Sequence, residues 1–203
     1  MSITKMFPLF VLCAVILYPS STTAEPILDV NGEPVQNGGS SYYMVPRIWA
    51  LGGGVALDKI GNEHCPMSVV QQPSEVSNGI PLKISSMARS RFVPEGRVQI
   101  SFAYGPKCGP TPPVWTLSRG PQGYLVKVTN AELADKNGYF VIEEGSTSSS
   151  QNDQFTYKLS FCYDSDECET IGIIDGHRGK RLLGVTNTPF EFVLVKAQSS
   201  SST

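Results

Sequence analysis

The chain has 203 residues and a formal net charge of −2, with 17% charged and 40% hydrophobic residues. No basic stripe with interleaved aromatics runs through it, which argues against a nucleic-acid partner. With 19 glycines and 15 prolines, the composition suits a loop-rich β protein better than a helical one.

Residues 1–24 read as a secretory signal. Lys5 supplies a short positive start, and Met6 to Tyr18 is a nearly unbroken apolar run, too short to span a bilayer. Small polar residues follow and end in Thr22-Thr23-Ala24, which suits cleavage after Ala24. Loss of Lys5 leaves 15 basic against 18 acidic residues, a charge of −3. Residues 25–197 are long enough for one domain with its own core, and the serine-rich stretch 198–203 is read as a disordered tail. The expected product is a soluble monomer outside the cytosol, secreted or vacuolar, with no membrane attachment.

The first mature segment, Pro26 to Val35, turns at Asn31-Gly32, and Asn37-Gly38-Gly39-Ser40-Ser41 is a second tight corner. Strands are predicted at Tyr42-Val45, around Ile48-Trp49, and at Val55-Leu57, with Gly52-Gly53-Gly54 as a plain β-turn. A phosphate loop would need a lysine and a following helix after those glycines, and neither is present. Further strands are expected at Met67-Val70, Leu82-Ile84, Val98-Phe102, Trp115-Leu117, Tyr124-Val128, Tyr139-Ile142, Tyr157-Phe161, Ile171-Ile174, Arg181-Val185 and Phe190-Val195. Ala131 to Lys136 reads as little more than one helical turn, and Ser146 to Asp153 as a mobile loop. Roughly twelve short strands in one domain mean a sandwich or barrel and also suit a β-trefoil. Apolar patterns near Tyr42, Trp115 and Tyr157 are candidates for a threefold internal repeat.

Cys13 leaves with the signal, and Cys65, Cys108, Cys162 and Cys168 remain. Four cysteines in a secreted chain argue for two disulfides, with three connectivities possible. The short spacing of Cys162 and Cys168 favours a local bridge, and Cys65 then pairs with Cys108. Two histidines, His64 and His177, without a Cys-x-x-Cys pair argue against a zinc site, and no metal or cofactor is expected.

Between Cys65 and Cys108 stands Ile84-Ser85-Ser86-Met87-Ala88-Arg89-Ser90-Arg91-Phe92-Val93. No helical period fits it, and the alternation of a strand breaks at its centre. It reads as a polar loop between the apolar anchors Ile84 and Phe92. Its arginines could be solvated surface groups, ligands for a carboxylate or phosphate, or bait for a protein that binds arginine side chains.

From Ile27 to Val195 the chain resembles the plant Kunitz-type trypsin inhibitors, the soybean inhibitor family. The resemblance is carried by Ile27-Leu-Asp-Val-Asn-Gly-Glu-Pro-Val35, Asn37-Gly-Gly, Tyr42-Tyr43-Met44, and Cys65-Pro66 followed by Ser68-Val69-Val70-Gln71. It continues through Ile84-Ser85-Ser86, Arg91-Phe92, Tyr157-Lys158-Leu159, Phe161-Cys162, Cys168 with Ile171-Gly172-Ile173, and Arg181-Leu182. One departure is that six residues, not five, separate Val35 from its tyrosine, because Ser40-Ser41 is doubled.

The resemblance implies a β-trefoil with two disulfides and a protruding, substrate-like loop that blocks a serine protease of trypsin-like specificity. The primary specificity residue would be Arg89, with Ser90 across the scissile bond. Ser86, Met87, Ala88 and Arg91 would contact the protease. Asn37 would brace the loop backbone from beneath, with Ile84 and Phe92 packed at its feet.

Three other functions stand beside this one. Catalysis lacks support, because His64 and His177 sit in polar turns and no Gly-x-Ser-x-Gly or paired-carboxylate motif occurs. A sugar-binding trefoil would carry Gln-x-Trp, and neither Trp49 nor Trp115 has that context. The family also holds inhibitors of other protease classes, storage and defence proteins, and non-inhibitory members, and those alternatives stay open.

Overall fold

The computed structural model describes residues 24–120, 122–130, 132, 138–146, 155–163 and 167–198. The predicted signal up to residue 23, the tail from 199, the loop 147–154 and most of the predicted helical turn lie outside the described residues.

Twelve strands form one connected sheet among the described residues. They fall into three sets of four along the chain. The first is β1 (Tyr42–Pro46), β2 (Val55–Asp58), β3 (Ser68–Gln71) and β4 (Leu82–Ser85). The second is β5 (Gly96–Phe102), β6 (Val114–Gly120), β7 (Gly123–Thr129) and β8 (Tyr139–Glu144). The third is β9 (Tyr157–Cys162), β10 (Cys168–Asp175), β11 (Arg181–Val185) and β12 (Phe192–Lys196).

Strand pairing closes a barrel from the first and last strand of each set. β1 pairs β4, β4 pairs β5, β5 pairs β8, β8 pairs β9, β9 pairs β12, and β12 returns to β1. The inner strands make hairpins β2–β3, β6–β7 and β10–β11. Those hairpins join in a triangle through β3–β7, β7–β11 and β11–β3. A six-strand barrel under a three-hairpin cap is a β-trefoil, and closure leaves its barrel strands without free edges.

The repeat is therefore real, and two of its three expected positions correspond while the third does not. Tyr42 and Tyr157 open the first and third sets. Trp115 lies in the second strand of its set, and the counterpart region is β5 around Val98. Trp115 is 2% exposed and fills the core. It packs on Phe102 and Phe140, and Phe140 in turn packs edge-on against Phe161.

Two local predictions change. Trp49–Leu51 is a 3-10 turn and not a strand, with the Leu51 N–H donating to the Ile48 carbonyl at 3.1 Å. The chain must leave the barrel here to enter the cap, so an apolar run bends. The glycine triplet is also more than a turn. Gly53 and Gly54 donate to the Gln72 and Ser77 carbonyls at 2.8 Å, and a Cβ on Gly53 would lie 2.2 Å from the Ser74 carbonyl oxygen. Close backbone approach demands glycine at Gly53 and Gly54, while backbone angle, φ +106°, demands it at Gly52.

Both disulfides form as the spacing favoured. Cys65–Cys108 spans 43 positions and Cys162–Cys168 spans 6. The local bridge joins directly opposed residues of β9 and β10.

Candidate functional site

The entry segment before β1 is laid across the barrel by backbone and tyrosine contacts. Ile27 N–H donates to the Val93 carbonyl at 2.9 Å, Val35 N–H to Ile27 at 2.8 Å, and Val93 N–H to Val35 at 2.9 Å. The Tyr157 hydroxyl accepts from Leu28 N–H at 2.7 Å, and the Tyr42 hydroxyl accepts from Gln36 N–H at 3.1 Å. Asp29 is fully buried, and its Oδ1 accepts from Asn31 and Glu33 N–H groups, which fixes the Asn31-Gly32 turn. This segment thereby carries Asn37 to the foot of the loop between β4 and β5.

The corner at Asn37-Gly38 stitches both feet of that loop by backbone alone. Asn37 N–H donates to the Arg91 carbonyl at 3.0 Å, and Gly38 N–H donates to the Ile84 carbonyl at 2.9 Å. Gly38 has φ +65°, a conformation that costs L-residues about 1–2 kcal/mol. The doubled serine is absorbed here, with the Ser40 hydroxyl bonded to Gln36 Oε1 at 2.9 Å. The register of β1 against β12 runs on undisturbed from Tyr42 opposite Lys196.

The Asn37 side chain fills the space under the loop. Its Oδ1 accepts the Ser86 N–H at 2.9 Å. Its Nδ2 lies 3.2 Å from the Ser86 carbonyl oxygen, 3.3 Å from that of Ala88 and 3.0 Å from that of Ser90. Two N–H bonds serve three carbonyls, so at least one hydrogen is shared. The carbonyls of Ala88 and Ser90 stand on either side of Arg89. The amide thus fixes the backbone around the tip while the guanidinium is left outward.

Within the loop, Ser90 N–H donates to the Ala88 carbonyl at 2.8 Å and closes the turn around Arg89. Ser86 Oγ accepts from Ala88 N–H, and Ser90 Oγ from Phe92 N–H, each at 3.2 Å. These are short serine turns on both flanks. Met87, Ala88, Arg89, Ser90 and Arg91 are exposed, Met87 to 87%. Ser86 is half-buried and tied to Asn37.

The feet differ from one another. Ile84 is fully buried, as expected of an anchor. Phe92 is only half-buried: it is bridged to Gln36, and the Arg91 guanidinium lies 5.5 Å above its ring. The core residue at the exit is Val93, at 0% exposure. Sequence reasoning missed Val93, Gly38 and the serine hydroxyls. The Ser-x-backbone spacing at Ser86 and Ser90 was the one signal that could have found the last of these. No disulfide crosses the loop itself, because Cys65 and Cys108 lie outside it.

Beyond the exit foot, Glu95 enters an acidic neighbourhood. Burial raises its carboxyl above the usual range, and the nearby Glu144, Glu25 and Glu143 carboxylates add to that.

A family model described as trypsin and protease inhibitor, the legume Kunitz model, matches residues 27–196. Trypsin inhibitor DE-3 of Erythrina variegata is 45% identical over 178 residues, 86% of this chain and 99% of that protein. Chymotrypsin inhibitor ECI of the same plant is 40% identical over 184 residues, covering 87% and 99%. A solved complex of porcine pancreatic trypsin with soybean trypsin inhibitor matches with a TM-score of 0.74 at 33% identity, over 86% of this chain and 100% of that one.

Proposed function

This chain belongs to the Kunitz-type family of legume trypsin and protease inhibitors and is not an enzyme; we propose that it inhibits trypsin-like serine proteases by presenting Arg89 on a braced, substrate-like loop. The observation that carries the reading is the single amide of Asn37 bonded to the backbone carbonyls on both sides of Arg89.

A trypsin-like protease has a carboxylate at the base of its specificity pocket, and a guanidinium fills it with charge-assisted hydrogen bonds. A loop already held in shape loses little entropy on docking, which raises affinity. If the bond between Arg89 and Ser90 is cut, the same bonds hold the two ends in place, so religation competes with release. On this reading Ser86, Met87 and Ala88 run along the acyl side of the protease cleft and Arg91 along the leaving side. Relatives include inhibitors of trypsin and of chymotrypsin, and on this reading the tip residue sets the choice between such targets. Here that residue is a cation. We further propose that residues 1–24 are a secretory signal, that the mature chain acts as a monomer, and that it resides outside the cell or in the vacuole.

Titration of trypsin and chymotrypsin with the mature protein tests this directly. Stoichiometric inhibition of trypsin, with chymotrypsin far weaker, supports the reading. No inhibition of trypsin at roughly micromolar protein sinks it.

A further inference from the structure

The end of β1 opposite the Asn37 corner opens into a cavity of about 380 Å³. Its lining includes the apolar Ile48, Leu51, Ile173 and Phe190, together with Arg181 and Gln71. Arg47 and Glu191 also line it, ion-paired at 2.7 Å.

Ile48 and Leu51 stand 52% and 54% exposed on the same cavity, two large apolar groups left in water side by side. Gln71 is 2% exposed, and its Oε1 accepts from Arg181 Nε at 2.8 Å. That bond fixes which way the amide points. Its Nε2 is then a buried donor with no hydrogen-bond partner among the described residues. Finally, among the described lining residues Glu191 pairs with Arg47, and Arg181 adds a second guanidinium. Asp175 stands opposite Arg181 in the strand register but does not line the cavity.

We propose that this cavity is a binding site for a small monocarboxylate with an apolar body. Its carboxylate pairs with Arg181 beside the Gln71 amide, while its hydrocarbon covers Ile48, Leu51, Ile173 and Phe190. The volume lies within the roughly 300–1,000 Å³ of ligand pockets. The site is separate from the Arg89 loop. Tyr42 lies at the loop end of β1 and Pro46 at the cavity end, roughly 13 Å apart by strand rise. Occupancy therefore does not depend on protease inhibition.

The test is a titration of the disulfide-bonded protein with phenylbutyrate, octanoate and neutral phenylbutyramide, followed by methyl NMR. Saturable shifts are expected at Ile48, Leu51 and Ile173, with phenylbutyrate binding about tenfold more tightly than the amide. Arg181→Gln should erase that tenfold preference. Leu51→Trp, at an exposed position, should fill the cavity and abolish binding without disturbing the fold. Absence of saturable shifts up to about 5 mM acid would mean a cavity that holds water only. That result overturns the proposal, as does equal affinity for acid and amide, or binding that survives Leu51→Trp.

Discussion

Asn37 and Ser86 grip one another through both halves of a single amide: Oδ1 accepts the Ser86 N–H at 2.9 Å, and Nδ2 lies 3.2 Å from the Ser86 carbonyl oxygen. The pair is 49 residues apart in sequence. It joins the entry segment to the loop before the chain reaches Arg89. A loop of five exposed residues would otherwise sample many backbone states, each about 1–2 kcal/mol per residue to fix. The Asn37 contacts confer that order before any partner arrives.

Replacing Asn37 separates bracing from mere presence. Asn37→Asp keeps an acceptor for Ser86 N–H but removes the donors to Ala88 and Ser90 and sets a charge against their carbonyls. Each lost hydrogen bond is worth about 1 kcal/mol. Trypsin inhibition should weaken about tenfold to a hundredfold, and mass spectrometry should find faster cleavage between Arg89 and Ser90. A variant as resistant to cleavage as the parent would refute the bracing role.

Gly38 is constrained by backbone angle and not by space, since the nearest atom to an added Cβ, Ser85 Cβ, would be 3.8 Å away. Gly38→Ala should therefore destabilise the protein by about 1–2 kcal/mol without a steric clash. Denaturant midpoints would measure this, and an unchanged midpoint would mean that the corner relaxes freely.

The Cys65–Cys108 bridge and the loop are predicted to be uncoupled. By chain entropy a loop of this size contributes about 4 kcal/mol to stability, while the Asn37 contacts do not run through it. The double replacement Cys65→Ser, Cys108→Ser should lower the melting temperature yet leave trypsin affinity at 25 °C within about threefold. A collapse of affinity in a variant still folded at that temperature would show that the bridge shapes the loop.

Glu95 gives a pH signature. Its carboxyl is held above the ordinary carboxylate range in the folded chain, by burial first and then by Glu144, Glu25 and Glu143. A raised acid favours the folded state only while it is protonated. That contribution is present below the unfolded value and is lost as pH rises through the folded value. Glu95→Gln should thus be more stable than the parent at neutral pH, with the gap closing as pH falls below 4.5. A free α-ammonium at Glu25 would offset part of the repulsion, so the comparison is best made on chains with an amino-terminal extension. A gap that widens on acidification would contradict the assignment.

Strand positions were largely legible because alternation and glycine-rich turns are local, and the Cys162–Cys168 bridge follows from a short spacing. Closure of the barrel was legible only through the family resemblance, since β1 meets β12 across the whole chain. The same limit explains Trp115, whose size marks burial and not repeat position. It also explains Phe92 and Val93. Either could be the anchor from sequence alone, and only the bonds of Val93 to Ile27 and Val35 select it. Asn37 itself came from resemblance to a family, because nothing local ties residue 37 to a loop some fifty positions later.

The central claim is that Arg89, and not its neighbour two residues on, enters the protease. Parallel trypsin titrations of Arg89→Ala and Arg91→Ala test it most directly. Arg91 already lies against Phe92, so its loss should cost less than about tenfold in affinity, while Arg89→Ala should cost about a thousandfold or more. Loss of inhibition in Arg91→Ala with Arg89→Ala still tight-binding would contradict the account.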